Sequence, residues 1–468
     1  MKITLYRSLP FPLGKIIRSA YSLLPFSIRM GKTYWDTKDL IKRGRLLDRK
    51  AIEEWQLSRL REIISLAYET TSGYRQLYDE CKVKPGDLRE LSDLRIFPFV
   101  SKELMRDNTD DFTSSATPKW KMLRRTTGGS TGIPFGFYLT QKDIEREVAF
   151  LHSSWERAGW KLGDVSAILR GAFVGSEHNL SEYDPFLRDL RLTSYFLTDK
   201  TYPKYRELVL RKKVKHLQAY PSAASLLADL VIRNGDEGKL RFSLLLLGSE
   251  NIYDWQKSKI GKAFPESRLF AWYGHAEQVL FAPMCENSEQ FHLDPFYGVG
   301  ELLDAHNEEV GVGQTGELVG TSLWNTTTPF IRYRTMDIAR KGNASCAACG
   351  RQYQLLESIE GRLQELIVTG TGRYISMTAL NMHSGVFDRV KQFQFYQKEP
   401  GRVTFRIVKN TGYTEADTEK IRLELMTKLG SDMNLEIAFV DSIEVPTSGK
   451  FRFLIQELHV EGNDAGRR

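Results

Sequence analysis

The stretch that decides the fold is Leu244-Leu245-Leu246-Leu247, followed at once by Gly248-Ser249-Glu250. Four consecutive apolar residues without polar alternation predict a strand buried on both faces, as in a sheet covered by helices. Around this strand, residues 165–325 alternate between short apolar strands and amphipathic helices. We therefore predict an α/β fold with a helix-covered sheet.

The flanking segments supply the other elements of this unit. Apolar patterning predicts strands at 135–139, 165–169, 269–272 and 316–321. It predicts helices at 52–83, 203–211 and 222–233, and one that starts at Thr140 with a capping-box-like sequence.

A change of composition at residues 340–361, which are rich in Gly, Ala, Ser and Cys, indicates a domain junction. We predict a large N-terminal domain over residues 1–361 and a small α+β domain over residues 362–468. The small domain should contain strands at 366–368, 393–397, 403–408 and 435–440 and a helix at 415–429. Its length of about 105 residues is enough for an independently folding unit.

The bulk composition of the 468 residues, 41% apolar and 27% charged, is typical of a soluble globular protein. No uncharged apolar run approaches the ~20 residues of a membrane-spanning helix. Arg7, Lys15 and Arg18 interrupt the N-terminal apolar residues, which argues against a secretory signal. Four cysteines do not form a disulfide framework, so we expect a cytoplasmic protein.

The positive charge is concentrated at the N-terminus: residues 1–50 contain twelve Lys or Arg against three Asp. A basic end could contact nucleic acid or an anionic membrane surface. We favour a solvated, partly helical flank, because aromatic residues suited to packing on the protein body are interleaved with the basic ones. These are Tyr6, Phe11, Tyr21, Phe26, Tyr34 and Trp35. No other feature resembles a nucleic-acid module, and we expect no nucleic-acid partner.

One loop has the composition of a phosphate cradle: Arg124-Arg125-Thr126-Thr127-Gly128-Gly129-Ser130-Thr131-Gly132-Ile133-Pro134. Glycines and hydroxyl residues leave backbone N–H groups accessible to phosphate oxygens. The loop leads into a strand, and it contains neither a Walker sequence nor a dinucleotide fingerprint. From composition alone, an ordinary hairpin connection and a phosphate-binding loop both remain open.

Further motifs follow this loop in a fixed order. They are Gly248-Ser249-Glu250, Trp272-Tyr273-Gly274-His275-Ala276-Glu277, Pro329-Phe330-Ile331-Arg332-Tyr333-Arg334-Thr335-Met336-Asp337, Gly361-Arg362-Leu363-Gln364-Glu365 and Pro446-Thr447-Ser448-Gly449-Lys450. In this order they resemble the adenylate-forming superfamily of acyl-CoA ligases, luciferases and adenylation domains. The chain looks most like the phenylacetate–CoA ligase branch, including relatives from capsular-polysaccharide clusters. The resemblance covers nearly the whole chain, since Ser72-Gly73-Tyr74-Arg75 and Pro98-Phe99-Val100-Ser101-Lys102 also match.

The resemblance implies how ATP, Mg²⁺ and the acid would be held. The phosphates would lie on Thr127, Gly128, Gly129, Ser130, Thr131 and Gly132. The adenine would lie against Gly248, Ser249, Glu250, Tyr273 and Gly274. Asp337 would accept the ribose hydroxyls. Residues 220–222, 248–249 and 272–274 would line the pocket of a flat or aryl acid.

The resemblance also implies the catalytic groups and a moving lid. Glu277 would hold Mg²⁺, and Arg362 would reach the ribose or the phosphates. Lys450 would bridge the acyl carboxylate and the α-phosphate. Residues 362–468 would pivot as a lid near Arg362, bringing residues 370–372 towards a thiol such as coenzyme A.

Four positions depart from the family pattern. Ile133 replaces the loop lysine, Ala276 a threonine, Met336 a glycine, and Gln364 the hinge Asp or Lys. These departures weaken the expectation of efficient turnover, above all in the transfer to a thiol.

A metal site is predicted separately. Cys346-Ala347-Ala348-Cys349 has the spacing with which two thiolates grip one tetrahedral ion, and Cys285 and His292 lie upstream. Three Cys and one His form a closed set, which favours structural Zn²⁺ over a catalytic ion. The alternative is that no metal binds: Cys285 is a buried apolar thiol, Cys346 and Cys349 lie in a surface turn, and His292 is hydrogen-bonded within the protein. Cys81 lies far away in sequence, and we expect it in the core.

Three functions remain open. The first is activation of a carboxylic acid as its acyl-AMP, followed by transfer to coenzyme A. The second transfers the acyl group to an amine acceptor instead, and the third is a degenerate homologue that binds nucleotide without turnover. A homodimer is left open, and the acid itself cannot be identified from the sequence.

Overall fold

The computed structural model describes residues 23–127, 135–170, 178–194, 196–362, 366–371, 374–376, 380, 385–387, 389–444 and 451–458. The helices are α1 (Phe26–Arg29), α2 (Lys32–Gly44), α3 (Arg49–Thr70), α4 (Ser72–Glu80), α5 (Lys102–Asp107), α6 (Gln141–Ala158), α7 (Tyr202–Arg211), α8 (Pro221–Arg233), α9 (Asp254–Ala263) and α10 (Glu415–Leu429). The strands up to residue 303 are β1 (Leu123–Thr127), β2 (Phe135–Leu139), β3 (Ser166–Leu169), β4 (Ser181–Asp184), β5 (Asp189–Leu192), β6 (His216–Ala219), β7 (Leu244–Gly248), β8 (Arg268–Gly274), β9 (Phe281–Pro283), β10 (Phe291–His292) and β11 (Gly298–Leu303). The later strands are β12 (Thr315–Ser322), β13 (Tyr333–Lys341), β14 (Leu355–Arg362), β15 (Leu366–Val368), β16 (Tyr374–Ser376), β17 (Val390–Glu399), β18 (Arg402–Lys409), β19 (Asn434–Phe439) and β20 (Leu454–Gln456).

The largest sheet has seven strands in the order β4-β5-β3-β6-β7-β8-β9. Strands β5, β3, β6, β7 and β8 run parallel, and β4 and β9 join antiparallel at the two edges. Every residue of β7 is buried, as the apolar run predicts. The predicted α/β class is therefore confirmed.

A second sheet supplies the other wall of the large unit. It has five antiparallel strands in the order β10-β14-β13-β12-β11. An isolated bridge between Val100 and Tyr333 joins the segment after the 3₁₀ helix at Leu91–Ile96 to β13. Val279 and Leu280 follow β8 and pack in the core of this sheet together with Leu318. The two sheets therefore meet directly after β8.

Residues beyond 366 form a smaller α+β unit. Strands β19-β18-β17-β20 make one sheet, and helix α10 packs on it through Ile421, Leu425 and Leu429. The predicted helix at 415–429 and strand at 366–368 have these bounds in the structure. The boundary between residues 361 and 362 stays a prediction.

The predicted helix over 52–83 is two helices. Helix α3 ends at Thr70, and the Thr71 hydroxyl accepts a hydrogen bond from the Tyr74 N–H at 3.3 Å, which caps α4. A threonine that caps a helix N-terminus favours a new start over continuation. The expectation for Cys81 was also wrong: this residue follows α4 and is exposed.

The described part of the basic N-terminal flank packs against the protein body. Helix α2 lies along α6, and the buried Tyr34 is 3.0 Å from Nδ1 of His152 through its hydroxyl oxygen. Asp36 and Asp39 on α2 pair with Lys32 and Arg43 on the exposed side. The favoured expectation of a packed, partly helical flank therefore agrees with residues 23–50. Across the described ranges, no helix is long and apolar enough to span a bilayer.

Candidate active site

The functional motifs gather at one edge of the seven-stranded sheet. Parallel strands end at the same edge, and open α/β sheets bind ligands outside the carboxyl ends of their strands. Strands β3, β6, β7 and β8 are followed there by Arg170, Tyr220, Ser249 and His275. The edge therefore brings together residues that lie far apart in the sequence.

Asp337 reaches this edge from the second sheet. It lies in β13 with 7% of its surface exposed, and its Oδ2 accepts a hydrogen bond of 2.7 Å from the Tyr273 hydroxyl. Tyr273 lies in β8, so this bond spans the two sheets. The Tyr273 hydroxyl thus orients the carboxylate, and a carboxylate is an acceptor of the kind that the predicted ribose contact requires.

Glu277 is buried a short distance further along the same edge. Its Oε1 accepts a hydrogen bond of 3.1 Å from the Tyr333 hydroxyl, and Nδ1 of His275 lies 3.5 Å from Oε2. Glu277 is 5% exposed. A carboxylate held this way is a hard oxygen ligand of the type that Mg²⁺ prefers.

The backbone beside these residues is strained. Among the described residues, eight non-glycine positions have a positive φ, and four of them lie in the site motifs or directly beside one: Ser249, Gln278, Arg332 and Met336. Left-handed backbone at non-glycine residues costs energy and persists where surrounding structure enforces it, often at functional sites. The four positions either belong to the β7 and β13 motifs or directly follow Glu277.

We expect Met336 to tolerate glycine but not valine. Its φ is +61°, and its N–H donates to Glu317 at 3.2 Å. Met336→Gly removes a strain of about 1–2 kcal/mol while adding chain entropy to the unfolded state, so the net change should be below about 1 kcal/mol. Met336→Val places a β-branched residue in this region and should lower the free energy of unfolding by about 2 kcal/mol. Urea unfolding of the two variants checks this, and equal tolerance of both would contradict the strain.

The Glu250 carboxylate is hydrogen-bonded to the first turn of helix α8. Its two carboxylate oxygens accept hydrogen bonds from the Ser222 N–H at 2.9 Å and from the Ser222 hydroxyl at 3.0 Å. This contact places a negative charge at the N-terminus of α8, where the helix dipole favours it. It also fixes residues 220–222, which were predicted to line the acid pocket. Contact between adenine and residues 248–250 stays a prediction.

The two glycines of the predicted nucleotide site differ in their surroundings. A Cβ on Gly248 would lie 2.8 Å from the Trp272 ring, so the position requires glycine for the ring to lie against the backbone. A Cβ on Gly274 would make only ordinary contacts, the nearest at 3.6 Å from Phe281. Glycine at position 248 therefore allows the Trp272 ring to lie against the end of β7.

Several predicted site residues lie outside the described residues: Gly128, Gly129, Ser130, Thr131, Gly132 and Lys450, together with the side chains of Thr127 and Arg362. The backbone of Arg362 pairs with Asp337 across β14 and β13. Shortly after Lys450 in the sequence, the Phe453 ring contacts Tyr253 edge-on with centroids 5.5 Å apart. This contact joins the small unit to the segment between Glu250 and α9.

A second cluster comprises the four predicted metal ligands. The ligand atoms of Cys285, His292, Cys346 and Cys349 all lie within 4.8 Å of one another. Sγ of Cys285 is 3.7 Å from Sγ of Cys346, and Sγ of Cys349 is 3.4 Å from Nε2 of His292. With Zn–S of about 2.3 Å and Zn–N of about 2.0–2.1 Å, a tetrahedral ion requires about 3.8 Å between sulfurs and about 3.5 Å between S and N. The cluster has the dimensions of a zinc site.

The surroundings of the cluster suit a metal as well. Burial and the charges of Arg157 and Arg351 lower the pKa of His292 to about 3, which keeps the imidazole neutral as a ligand must be. Three thiolates and a divalent ion leave one negative charge. Nη1 of Arg351 donates to Sγ of Cys349 at 3.2 Å and offsets it. Burial raises the pKa of the Cys349 thiol to about 12, so without a cation this group stays protonated.

Glu147 lies in a small polar cleft beside the site, with Asp143, Arg146, Tyr297 and Asn325. Burial raises the pKa of its carboxyl from 4.5 to about 7, although a hydrogen bond from the Tyr297 hydroxyl opposes the shift. The electrostatic effect of His275 also lowers this pKa. The folded protein therefore holds this proton more tightly than the unfolded chain does.

We expect the stability of the protein to depend on Glu147 as pH changes. Because the folded pKa is raised, the free energy of unfolding should fall as pH rises from about 4.5 to about 7 and level off above that. Glu147→Gln keeps a hydrogen-bond acceptor for Tyr297 and removes the charge. The variant should remove the fall in the free energy of unfolding between about pH 4.5 and about pH 7. At pH 8 it should be more stable than the wild type by about 1–3 kcal/mol. Denaturant unfolding across this pH range checks it, and parallel profiles for both proteins would contradict it.

Comparison with known proteins finds relatives that cover most of the chain. Residues 367–457 match the model of the CapK C-terminal domain. The phenylacetate–coenzyme A ligase of Pseudomonas putida is 29% identical over 326 residues, covering 68% of this chain and 72% of that protein. Protein CapK of Staphylococcus aureus is 22% identical over 423 residues, covering 88% of this chain and 91% of its own.

The solved structures agree on the fold. A 2-hydroxyisobutyryl-CoA ligase in its postadenylation state, in complex with 2-HIB-AMP, superposes with a TM-score of 0.72 at 21% identity. The match covers 89% of this chain and 91% of that one. The chain is a homologue of the phenylacetate–coenzyme A ligases and of CapK, with the fold of the adenylate-forming ligases. The resemblance inferred from the ordered motifs is thereby confirmed.

Sequence reasoning missed three residues at this edge of the sheet. Tyr333 was quoted within a motif without a role, although its hydroxyl orients Glu277. His275 was likewise passed over, and neither of its buried ring nitrogens has a hydrogen-bond partner among the described residues. Arg170 directly follows β3, as Ser249 follows β7, and its position at the end of a predicted buried strand could have indicated it.

Proposed function

We propose that this chain is an AMP-forming acid–thiol ligase. It activates a carboxylic acid as its acyl-AMP with release of pyrophosphate, and it then passes the acyl group to coenzyme A. The observation that carries the proposal is the meeting of Asp337 and Tyr273 across two sheets, beside the buried Glu277. Similarity to proteins named phenylacetate–coenzyme A ligase supports the same chemistry.

The first half-reaction joins an anionic carboxylate to the α-phosphate of ATP, so the site must offset negative charge. A carboxylate oxygen attacks the α-phosphorus, the bond from that phosphorus to the bridging oxygen breaks, and pyrophosphate leaves. Correct alignment of the acid with the α-phosphate supplies much of the acceleration. We assign ribose binding to Asp337, phosphate binding to residues 127–132, and the bridging cation to Lys450. Mg²⁺ held by Glu277 would neutralise the departing pyrophosphate.

The second half-reaction transfers the acyl group. The thiol sulfur attacks the acyl carbonyl carbon, the bond to the AMP oxygen breaks, and AMP leaves with its phosphate. We propose that residues 362–468 act as a lid for this step and that the lid pivots near Arg362. The contact between Phe453 and Tyr253 would then belong to one position of the lid.

The Cys₃His cluster is proposed to hold structural Zn²⁺. Cys285 follows β9 of the seven-stranded sheet, and His292 lies in β10 of the second sheet, paired with β14. The ion would therefore tie the two sheets together next to the strand that ends at Arg362. Because all four ligands come from the protein, no position remains for a reacting water. We also propose that the protein works in the cytoplasm.

Pyrophosphate release from ATP tests the proposal. The purified protein is incubated with ATP, Mg²⁺ and a panel of aryl and aliphatic acids, and each reaction is repeated with coenzyme A or with small amines. Pyrophosphate that depends on an acid supports adenylation, and formation of a thioester identifies coenzyme A as the acceptor. An amide product instead would assign the second step to an amine. Failure of every acid, with ATP left intact, would favour a homologue that binds nucleotide without turnover.

A further inference from the structure

We propose that the acid activated by this chain carries a second carboxylate, which Arg170 binds. This inference rests on the proposed adenylation and names the class of its substrate. It assigns Arg170 as the residue that selects dicarboxylic acids over acids with a neutral tail.

Arg170 lies within the predicted acid pocket. Its Nη2 donates a hydrogen bond of 2.7 Å to the Ser249 hydroxyl. Its guanidinium carbon is 5.5 Å from the centroid of the Tyr220 ring and 5.3 Å from that of Trp272. The residues that it touches therefore come from the ends of β6, β7 and β8, the three segments proposed to line the acid pocket.

The Arg170 guanidinium has more N–H donors than its hydrogen bond to Ser249 uses. In the part of the chain that the structure describes, Arg170 forms no ion pair with a carboxylate, and Ser249 is its one hydrogen-bond partner. Glu250 is close enough to stabilise the charge of Arg170, but both of its oxygens are bonded to Ser222. An arginine has five N–H donors in a rigid fork.

The environment makes an anion favourable here. Burial lowers the pKa of Arg170, because the cation is partly removed from water. A partly desolvated guanidinium binds a carboxylate more strongly than an exposed one does, and its planar fork matches two carboxylate oxygens. The faces of Tyr220 and Trp272 hold the guanidinium plane in place through cation–π contacts.

The same feature argues against an acid with a purely apolar tail. A neutral ring in this pocket would cover a charged group without giving it a partner, which costs free energy. An acid with carboxylates at both ends would present one to the α-phosphate and the other to Arg170. The aromatic walls remain suited to a flat spacer between the two.

The test compares matched acids on three proteins. The acid pairs are 3-carboxyphenylacetate with phenylacetate, and pentanedioate with butanoate. The proteins are the wild type, Arg170→Leu, and Arg211→Leu as a control that loses the same charge. Arg211 ends α7, is largely exposed, and precedes the opposite end of β6.

For the wild type we expect kcat/KM in pyrophosphate release to be about 10²-fold higher for the diacid of at least one pair. Arg170→Leu should abolish this preference by lowering kcat/KM for the diacid far more than kcat/KM for the monoacid, and Arg211→Leu should keep the preference. Arg170→Lys, which retains the charge without the fork, should restore part of the preference. A preference for monoacids, or a diacid preference that survives Arg170→Leu, would overturn the assignment.

Calorimetric binding of the same diacids in the presence of a non-hydrolysable ATP analogue separates this inference from the proposed function. If no acid releases pyrophosphate but a diacid binds the wild type and not Arg170→Leu, adenylation fails and the Arg170 site stands. If no diacid binds in a way that depends on Arg170, the inference fails, whatever the turnover of other acids.

Discussion

Asparagine in place of Asp337 is expected to reduce kcat/KM for ATP by about 10²- to 10⁴-fold. The carboxylate lies beside Tyr273 with only 7% of its surface exposed, so it is positioned before ATP arrives. Two charge-assisted hydrogen bonds to the ribose are each worth about 1.5–3 kcal/mol, and every 1.4 kcal/mol is about a factor of ten. Steady-state pyrophosphate release at varied ATP concentrations measures the loss.

Tyr273→Phe distinguishes the orientation of Asp337 by Tyr273 from the binding of the ribose by Asp337. It removes the hydroxyl that holds Asp337 but leaves the carboxylate, and we expect a smaller loss of about tenfold. The double variant should lose little more than Asp337→Asn alone, because the two residues act through one contact. Tyr183→Phe, on the partly exposed strand β4, is the matched control and should keep full activity. Additive losses, or an active Asp337→Asn protein, would contradict the proposed ribose site.

Serine in place of Cys346 is expected to remove the metal and destabilise the protein. The wild type should contain one zinc ion per chain, and the variant none. We expect the free energy of unfolding to fall by about 3–5 kcal/mol, since a structural metal binds the folded state alone. Metal analysis of the purified proteins and denaturant unfolding measure the two effects.

The chain contains its own control for this experiment. Cys81 is exposed and does not belong to the cluster, so Cys81→Ser should keep both the metal and the stability. A strong chelator should lower the stability of the wild type and of Cys81→Ser but not that of Cys346→Ser. A wild-type protein that is free of metal and insensitive to the chelator would contradict the zinc site.

Much of the fold was accessible from local sequence patterns. The run at 244–247 predicted a buried central strand, and capping chemistry at Thr140 predicted the start of α6 at Gln141. Such features depend on neighbours within a few residues. The break at Thr71 was missed because helical periodicity continues through it. The Thr71 hydroxyl, which caps the start of α4, was not considered.

The site was less accessible, because its contacts join distant segments. The motifs identified Glu277, Asp337 and Tyr273, but not the hydrogen bonds by which Tyr333 and Tyr273 orient the two carboxylates, since those bonds span 56 and 64 residues. Strand order decides such pairs, and one sequence does not reveal strand order. Only the spacing of Cys346 and Cys349 was local enough to predict contact directly, and the structure confirms that the predicted Cys285 and His292 lie beside them.

The most direct test of the account is detection of the acyl-adenylate itself. The protein is mixed with ATP, Mg²⁺ and a diacid in the absence of a thiol, quenched in acid, and examined by mass spectrometry. We predict a species with the mass of the acid joined to AMP in the wild type, and its near absence in Asp337→Asn. A folded, metal-loaded protein that forms no such species with any acid, yet binds ATP, would contradict the central claim.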